Sequence, residues 1–348
     1  MFFTSMSSNT ISAKAKSMYG KRLTDANYQD MLRRSNVTEI AAYLKENTAY
    51  SAALAQVDIH NVHRGQLENI LMRELFNKYT KLCRYNFTGD NGFYGYLVLQ
   101  YEIEQILKCI LSLNAKTMAD FILDLPAFLI SHASFDLLAL AKVRSFDELL
   151  EVLGHTPYRE ILKPFFPKGD ELIDYSSCEK ALMTYHYDYL LGVIRKKFHG
   201  QTKKDLEKVI KVNVTLSNLM TIYRLKRYFD ADKADISEAV LPFEFKLNKN
   251  TLQQMIEAKT VDDFFDVFDQ CYYGKNNKAE EGSLGFEHHL SQIIYLYNKK
   301  LMRFSTSPPA VLYAFIILNS TEVKNIIKII EGIRYQIPIS QIQNLLIL

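Results

Sequence analysis

Three separated segments of the chain share one arrangement of apolar and polar positions. They begin at residues 102, 215 and 322 and read EIEQILKCIL, TLSNLMTIYR and EVKNIIKIIE. In each segment, apolar side chains recur at positions i, i+3, i+4 and i+7, the spacing of one buried face of an α-helix. Each also has an amide side chain two residues after the first apolar position: Gln105, Asn218 and Asn325. The pattern predicts three similar amphipathic helices, called here the repeat helices.

A second pattern precedes each repeat helix. The segments Asn36-Val-Thr-Glu39, Ser145-Phe-Asp-Glu148 and Thr260-Val-Asp-Asp263 all resemble a capping box, in which the first side chain accepts a backbone N–H and the acid three residues later reaches back. An apolar helical ladder follows each box, and then a tyrosine: Tyr50, Tyr158, and Tyr272 or Tyr273. We therefore predict short helices over 36–46, 145–154 and 260–270, called here the capped helices, which hold equivalent positions and lie together at one end of the protein.

The two patterns keep a constant order and a nearly constant spacing. From the capping residue to the first apolar residue of the repeat helix the distances are 67, 71 and 63 residues. We interpret this as a tandem triplication with domains at 1–114, 115–229 and 230–348. The period far exceeds the roughly 20–50 residues of short helical repeats, so each copy is long enough for its own core. Three such domains fit either a ring around a pseudo-threefold axis or a row.

The composition favours helices over strands. Gly and Pro together supply only 21 of 348 residues, so the chain has few turn-forming residues for its length. Helical patterns also fill the intervals, and the breaks, such as Pro164 to Gly169 and Pro308-Pro309, fall between them. The sequence predicts an all-α protein of three similar domains.

Neither the ends nor the cysteines indicate export or a membrane span. The N-terminus lacks a basic head followed by an apolar run. The apolar stretches at 121–143 and 310–318 are interrupted or shorter than the ~20 residues of a spanning helix. The four cysteines, Cys83, Cys109, Cys178 and Cys271, lie far apart with no CxxC pair. We expect a soluble cytoplasmic chain with reduced thiols and neither disulfides nor a zinc site.

The charge gives little indication of nucleic-acid binding. The net charge is +3, and the densest basic run is diluted by acids and lacks aromatic residues for base stacking. We interpret this run as a solvated helix face rather than a phosphate track. It comprises Arg195, Lys196, Lys197, Lys203, Lys204, Lys208 and Lys211.

No catalytic, cofactor or metal constellation is recognisable. Gly89, Gly92 and Gly95 form a GxxGxxG without a phosphate-loop lysine, and we interpret them as a loop. His60 and His63 lack the glutamate of a metal-binding HExxH helix. The adjacent His288 and His289 would point about 100° apart on a helix, and Asp262 and Asp263 suit a helix N-terminus. We predict no catalytic residues, no cofactor and no metal.

Both ends of the sequence resemble one family. Near the start of the chain, the matching residues are Ala13-Lys-Ala-Lys-Ser-Met-Tyr-Gly-Lys-Arg-Leu-Thr24, Tyr28, Leu32 and Asn47-Thr-Ala-Tyr50. Near its end, they are Glu322 to Pro338. Both sets resemble the C-subunit family of V-type/A-type ATPases (ATP synthases), which is related to the d subunit of eukaryotic V-ATPases (AC39 family). The second copy matches it weakly, and Lys328 stands where the family's last helix has an arginine.

The resemblance implies an architecture and a function. Family members are all-helical, with three similar domains arranged as a funnel around a pseudo-threefold axis. One copy lies in the central rotor, on the cytoplasmic side of the membrane, between shaft subunits D and F and the proteolipid ring. It is non-catalytic, reaches the membrane only through the complex, and transmits torque between ATP hydrolysis or synthesis and the transport of H⁺ or Na⁺, the ion being determined by the ring.

Other functions fit parts of the sequence. A generic helical adaptor or scaffold without a motor role would also explain the triplication, and the terminal motifs favour the rotor connector. A nucleic-acid-binding protein would depend on residues 195–211 and would bind with a steep salt dependence. An enzyme of unknown type fits the sequence least.

Overall fold

The computed structural model describes residues 2–84, 95–117, 126–169, 171–243, 246–276 and 285–348, and all regular structure within these ranges is helical. This confirms the predicted all-α class. The funnel arrangement and the domains at 1–114, 115–229 and 230–348 stay predictions. The α-helices are α1 (Phe2–Tyr19), α2 (Asp25–Leu32), α3 (Val37–Asn47), α4 (Ser51–Leu54), α5 (Arg64–Cys83), α6 (Tyr96–Ala115), α7 (Leu137–Leu140), α8 (Phe146–Leu153), α9 (Pro157–Leu162), α10 (Tyr175–Lys197), α11 (Gly200–Tyr228), α12 (Lys233–Ala239), α13 (Lys249–Glu257), α14 (Val261–Gln270), α15 (Tyr272–Asn276), α16 (Phe286–Phe304), α17 (Pro308–Arg334) and α18 (Ile339–Leu345).

The chain forms two compact units. One contains Met1–Gly89, Lys204–Val209 and Ala279–Leu348, so it joins helices from the start of the sequence to helices from its end. The other contains Asp90–Lys203 and Ile210–Lys278. The core of the first unit is built where α2, α3 and α5 pack around the second half of α17, with Leu44, Leu71 and Ile330 completely buried.

The three capped helices are α3, α8 and α14, and each begins where the sequence predicts. Asn36, Ser145 and Thr260 each accept the backbone N–H of the residue three positions later. Each capping residue has extended backbone angles, as an N-cap requires.

The reciprocal half of the capping box depends on the length of the acid. Asp263 accepts the backbone N–H of Thr260 itself at 3.0 Å, which completes the box. Glu39 and Glu148 are one methylene longer and reach one residue further back, to the N–H groups of Ser35 (2.9 Å) and Arg144 (2.8 Å). The predicted box is therefore complete in the third copy and displaced by one residue in the first two.

The repeat helices are α6, α11 and α17, and two of them carry a buried glutamate that the apolar pattern did not single out. On α17, Glu322 accepts the Tyr50 hydroxyl at 2.8 Å and the Leu23 backbone N–H at 2.7 Å. On α6, Glu102 accepts the Tyr158 hydroxyl and the Ser134 backbone N–H in the same way. We call each set a carboxylate clasp.

The tyrosine of each clasp follows a capped helix. Tyr50 and Tyr158 are 2% and 1% exposed. Burial, and then the nearby glutamate, raises the pKa of both phenols well above the ordinary value, so both stay protonated and donate. In the third copy Tyr273 is buried and Tyr272 is exposed, so Tyr273 holds the equivalent place.

The second copy replaces the glutamate by a shorter side chain. Thr215 holds the position of Glu102 and Glu322 on α11, and its hydroxyl donates to the Lys211 carbonyl within the same helix. Since a threonine cannot reach across to a neighbouring helix as a glutamate can, the second copy lacks the carboxylate clasp.

The repeated amides attach extended segments to their helices. Asn325 donates to the Ile347 carbonyl at 2.7 Å and accepts the Ile347 N–H at 3.0 Å. Asn218 forms the same pair of bonds with Leu241, at 2.8 and 2.9 Å. Two of the three predicted amides thus share one bonding pattern, and the third, Gln105, is buried on α6 without showing it.

Each repeat helix contacts a capped helix or residues that flank one. The repeat helix α6 bonds to residues around the capped helix that follows it in sequence, and α11 contacts the next capped helix through Tyr223 and Phe264. The last repeat helix, α17, is completed by Tyr50 and Leu23, which flank the first capped helix. Residues near the start of the chain thus complete a helix near its end.

One helix in the described ranges, α17, is long and apolar enough to cross a membrane by length and composition alone. Within its most apolar window, 72% of the residues are buried inside the protein, and it packs against α1, α5 and α16. Its hydropathy is accounted for by this core position.

Replacing Asn36 by Ala should lower the free energy of unfolding by about 0.5–2 kcal/mol, because one N–H at the start of α3 loses its acceptor. Urea unfolding of the full chain measures this, and Asn36→Ser, which keeps an acceptor, is the control. An unchanged midpoint for Asn36→Ala would mean that the cap does not contribute to stability.

Removing the hydroxyl of Tyr50 should cost about 1.5–3 kcal/mol of unfolding free energy, because a buried carboxylate oxygen loses its charge-assisted donor. Tyr158→Phe should cost a similar amount, since it breaks the equivalent clasp. The control is Tyr335→Phe, whose side chain is 64% exposed. Equal stability of Tyr50→Phe and Tyr335→Phe in urea would contradict the clasp.

Candidate functional site

The glycine motif and the histidine pairs take local structural roles where the structure describes them. Gly89 and Gly92 lie outside the described residues, and Gly95 precedes α6. His63 caps α5 by accepting the N–H of Gln66 at 3.3 Å. His288 Nε2 contacts the Leu346 carbonyl at 3.1 Å. These bonds fix helix ends and the C-terminal segment.

The carboxylate and cysteine candidates also do not form a catalytic or metal-binding site in the described residues. Asp263 belongs to a capping box, and the hydrogen bonds from Thr260 hold the pKa of its carboxyl below the usual value. Burial raises the pKa of the Cys109 and Cys178 thiols to about 12 and that of Cys83 to about 11, so these thiols are poor nucleophiles. Within the described ranges, no three His, Cys, Asp or Glu side chains come together to hold a metal ion.

The basic run is divided between two helices. Arg195, Lys196 and Lys197 form the last turn of α10, where positive charge complements the helix dipole. The other four lysines lie on the first turns of α11, where Lys208 is 5.9 Å from the centre of the Tyr297 ring. The run therefore lies on the adjoining ends of two helices and not on one helix face.

A buried histidine lies on α10. This residue, His186, is 4% exposed. Burial lowers the pKa of its imidazole to about 4, so the ring is neutral in the folded protein at pH 7. Its ring packs edge-on against that of Tyr187, with centroids 5.0 Å apart. This environment is that of a core side chain, and we assign His186 a role in packing.

A partly open cavity of about 220 Å³ lies beside the clasp of Glu322. It is lined by residues of α1, α2 and their connection, of α16 and α17, and of the C-terminal segment. Arg22 and Lys299 lie on its wall together with the buried side chains of Asn319 and Glu322. Arg22 lies 4.6 Å from the centre of the Tyr19 ring, and Lys299 lies 5.2 Å from that of Tyr295.

The chain matches a known protein family over almost its whole length. Residues 11–345 match the family model described as ATP synthase (C/AC39) subunit. The chain belongs to this family. This match confirms the resemblance to the C-subunit family that both ends of the sequence indicated. The family comprises non-catalytic subunits of the rotary ATPase, which confirms the prediction that the chain is not itself an enzyme. The chain is a subunit of a rotary ATPase, which is a membrane-associated complex.

The relatives of this C/AC39 member are named as the C subunit of an A-type ATP synthase. That of Desulfurococcus sp. (strain SY) is 24% identical over 270 residues, which cover 76% of this chain and 68% of the relative. Those of Thermococcus onnurineus and Methanosarcina acetivorans are 22% and 25% identical, each over 62% of this chain. The alignments span only 56% and 57% of the lengths of these two relatives.

The sequence patterns missed the two clasp glutamates and the cavity of this C/AC39 chain. Glu102 and Glu322 each lie one residue before the first apolar position, three residues before an amide that also lies on the buried face. A charged residue on the predicted buried face of a helix was the signal in the sequence that could have revealed these glutamates. The cavity had no such signal, because its residues come from distant parts of the sequence.

The stability of the folded chain should depend on pH through His186. Its pKa falls from about 6.5 in the unfolded chain to about 4 in the folded one, so the stabilisation is complete above pH 6.5 and is lost as the pH falls toward 4. The loss should amount to about 3 kcal/mol, measured by urea unfolding between pH 7.5 and 4. His186→Gln should flatten this part of the profile, whereas the exposed control His60→Gln should not. Parallel profiles for His186→Gln and the unaltered chain would refute the assignment.

Proposed function

We propose that this chain is the central-rotor connector of a V/A-type rotary ATPase, and that it links shaft subunits D and F to the membrane proteolipid ring. The observation that carries the proposal is the family match over residues 11–345. The relatives' name, which makes them C subunits of A-type ATP synthases, assigns them to the same assembly. A generic adaptor without a motor role accounts for neither.

The packing within each unit suits a part that transmits torque. A torque-bearing body must resist shear between its helices, and buried charge-assisted hydrogen bonds oppose sliding because they hold only in one register. Glu322 joins α17 to Tyr50 and Leu23, and Glu102 joins α6 to Tyr158. Arg64 adds a bond from α5 to Glu331 near the end of α17, at 2.8 Å.

In this role the protein couples ATP turnover to ion transport, and both processes take place in other subunits of the complex. ATP is hydrolysed or synthesised at the catalytic head, and H⁺ or Na⁺ moves through the ring, which determines the ion. One copy per complex lies on the cytoplasmic side and reaches the membrane only through its partners. The connector needs no nucleic acid, cofactor or metal. Its predicted pseudo-threefold funnel would receive the shaft at one end and cap the ring at the other.

Purified full-length chain should retain both separately prepared shaft subunits and detergent-solubilised proteolipid ring, and should be required to bridge them. Co-purification with each partner alone and with both together measures this. Shaft and ring mixed without the chain are the control.

Failure of the folded chain to retain either partner would refute the connector role. Retention of the shaft with no bridging to the ring would refute the link to the membrane part.

A further inference from the structure

One side chain on the wall of the cavity beside Glu322 is polar where the corresponding positions of the other two repeat helices are apolar. Asn319 precedes Glu322 by three residues on α17 and lies on the cavity wall. The residues three positions before Glu102 and Thr215, at the equivalent places in the other copies, are Leu99 and Val212. A polar residue at a position that is apolar in both sister copies costs stability unless it has polar partners. The replacement points to a use of the cavity that the other copies do not share.

The inner wall of the cavity offers hydrogen-bond acceptors. Glu322 is 7% exposed, and each of its oxygens accepts one bond, from Tyr50 and from Leu23. Since a carboxylate oxygen has two lone pairs, each oxygen keeps capacity for one further donor. Asn319 donates its amide Nδ2 to the Phe315 carbonyl, which leaves its carbonyl oxygen as the acceptor.

The outer wall carries the opposite charge. Arg22 is exposed and Lys299 is half-buried, and each cation lies over a tyrosine ring that also lines the cavity. The exposed Asp25 also lines the cavity, so the side chains of Arg22, Lys299 and Asp25 together carry one net positive charge. The cavity therefore has a cationic entrance and an anionic, acceptor-rich interior.

We propose that this cavity binds a small zwitterion of the size of a free α-amino acid. Its carboxylate would bind Arg22 and Lys299, and its ammonium group would donate to Glu322 and Asn319. A volume of about 220 Å³ equals that of about seven water molecules and is below the range typical of drug-sized ligands. The inference does not depend on the connector role.

Isothermal titration calorimetry and thermal unfolding of the full chain test the proposal. The probes are glycine, L-alanine and L-glutamine, compared with acetate and methylammonium, which each carry half of the charge pattern. We expect at least one amino acid to give a saturable heat and to raise Tm by about 1–3 °C at saturation. Acetate and methylammonium should each bind at least tenfold more weakly.

Matched variants locate the site. Lys299→Gln should weaken binding about tenfold or more, because a charge-assisted bond is lost, whereas the neighbouring exposed Lys300→Gln should not. Asn319→Leu restores the residue type of the sister copies and should abolish binding while the protein stays folded.

The proposal is overturned if no amino acid binds. It is equally overturned if acetate or methylammonium binds as tightly as the amino acids, or if Lys300→Gln weakens binding as much as Lys299→Gln.

Discussion

A carboxylate buried between helices is the constraint on which the described structure depends. Removing a charged group from water is costly, and the cost is offset only when its oxygens receive well-aligned donors. Glu322 receives them from Tyr50 and Leu23, which are almost 300 residues away in sequence. The capped helix α3, its following tyrosine and the α1–α2 connection must all be in place before the carboxylate is satisfied. The same requirement recurs around Glu102 with Tyr158 and Ser134.

The same constraint explains which segments pack against the two repeat helices that carry a glutamate. Glu102 on α6 pairs with Tyr158, which follows the capped helix α8, and Glu322 on α17 pairs with Tyr50, which follows the capped helix α3. The second copy, with Thr215, is fixed instead by the amide of Asn218 and by Lys226, which donates to the carbonyls of Ile256 and Ala258 at the end of α13. Such bonds hold the helices within each unit in one register, as the proposed connector role requires.

Many features of the structure could be predicted from local patterns in the sequence. The helical class, the three N-caps and the three repeat helices depend on residues within about ten positions of each other, and short-range periodicity and capping chemistry report such relations directly. The one-residue shift of Glu39 and Glu148 depends on side-chain length and could have been foreseen. The clasps and the cavity could not have been predicted, because a single sequence does not reveal which distant residues meet in the tertiary fold. Tyr50 and Glu322 form one such pair, and Arg22 and Lys299 on the cavity wall form another.

A connector within the rotor must turn with the shaft. The most direct test is to immobilise the assembled rotary ATPase by its stationary part, attach a gold particle to an exposed engineered cysteine of this chain, and observe the particle under saturating ATP. We expect unidirectional rotation at the same rate as a particle fixed to the shaft. A particle that stays stationary while the shaft turns would show that the chain belongs to the stationary part of the complex, and would refute the proposed role.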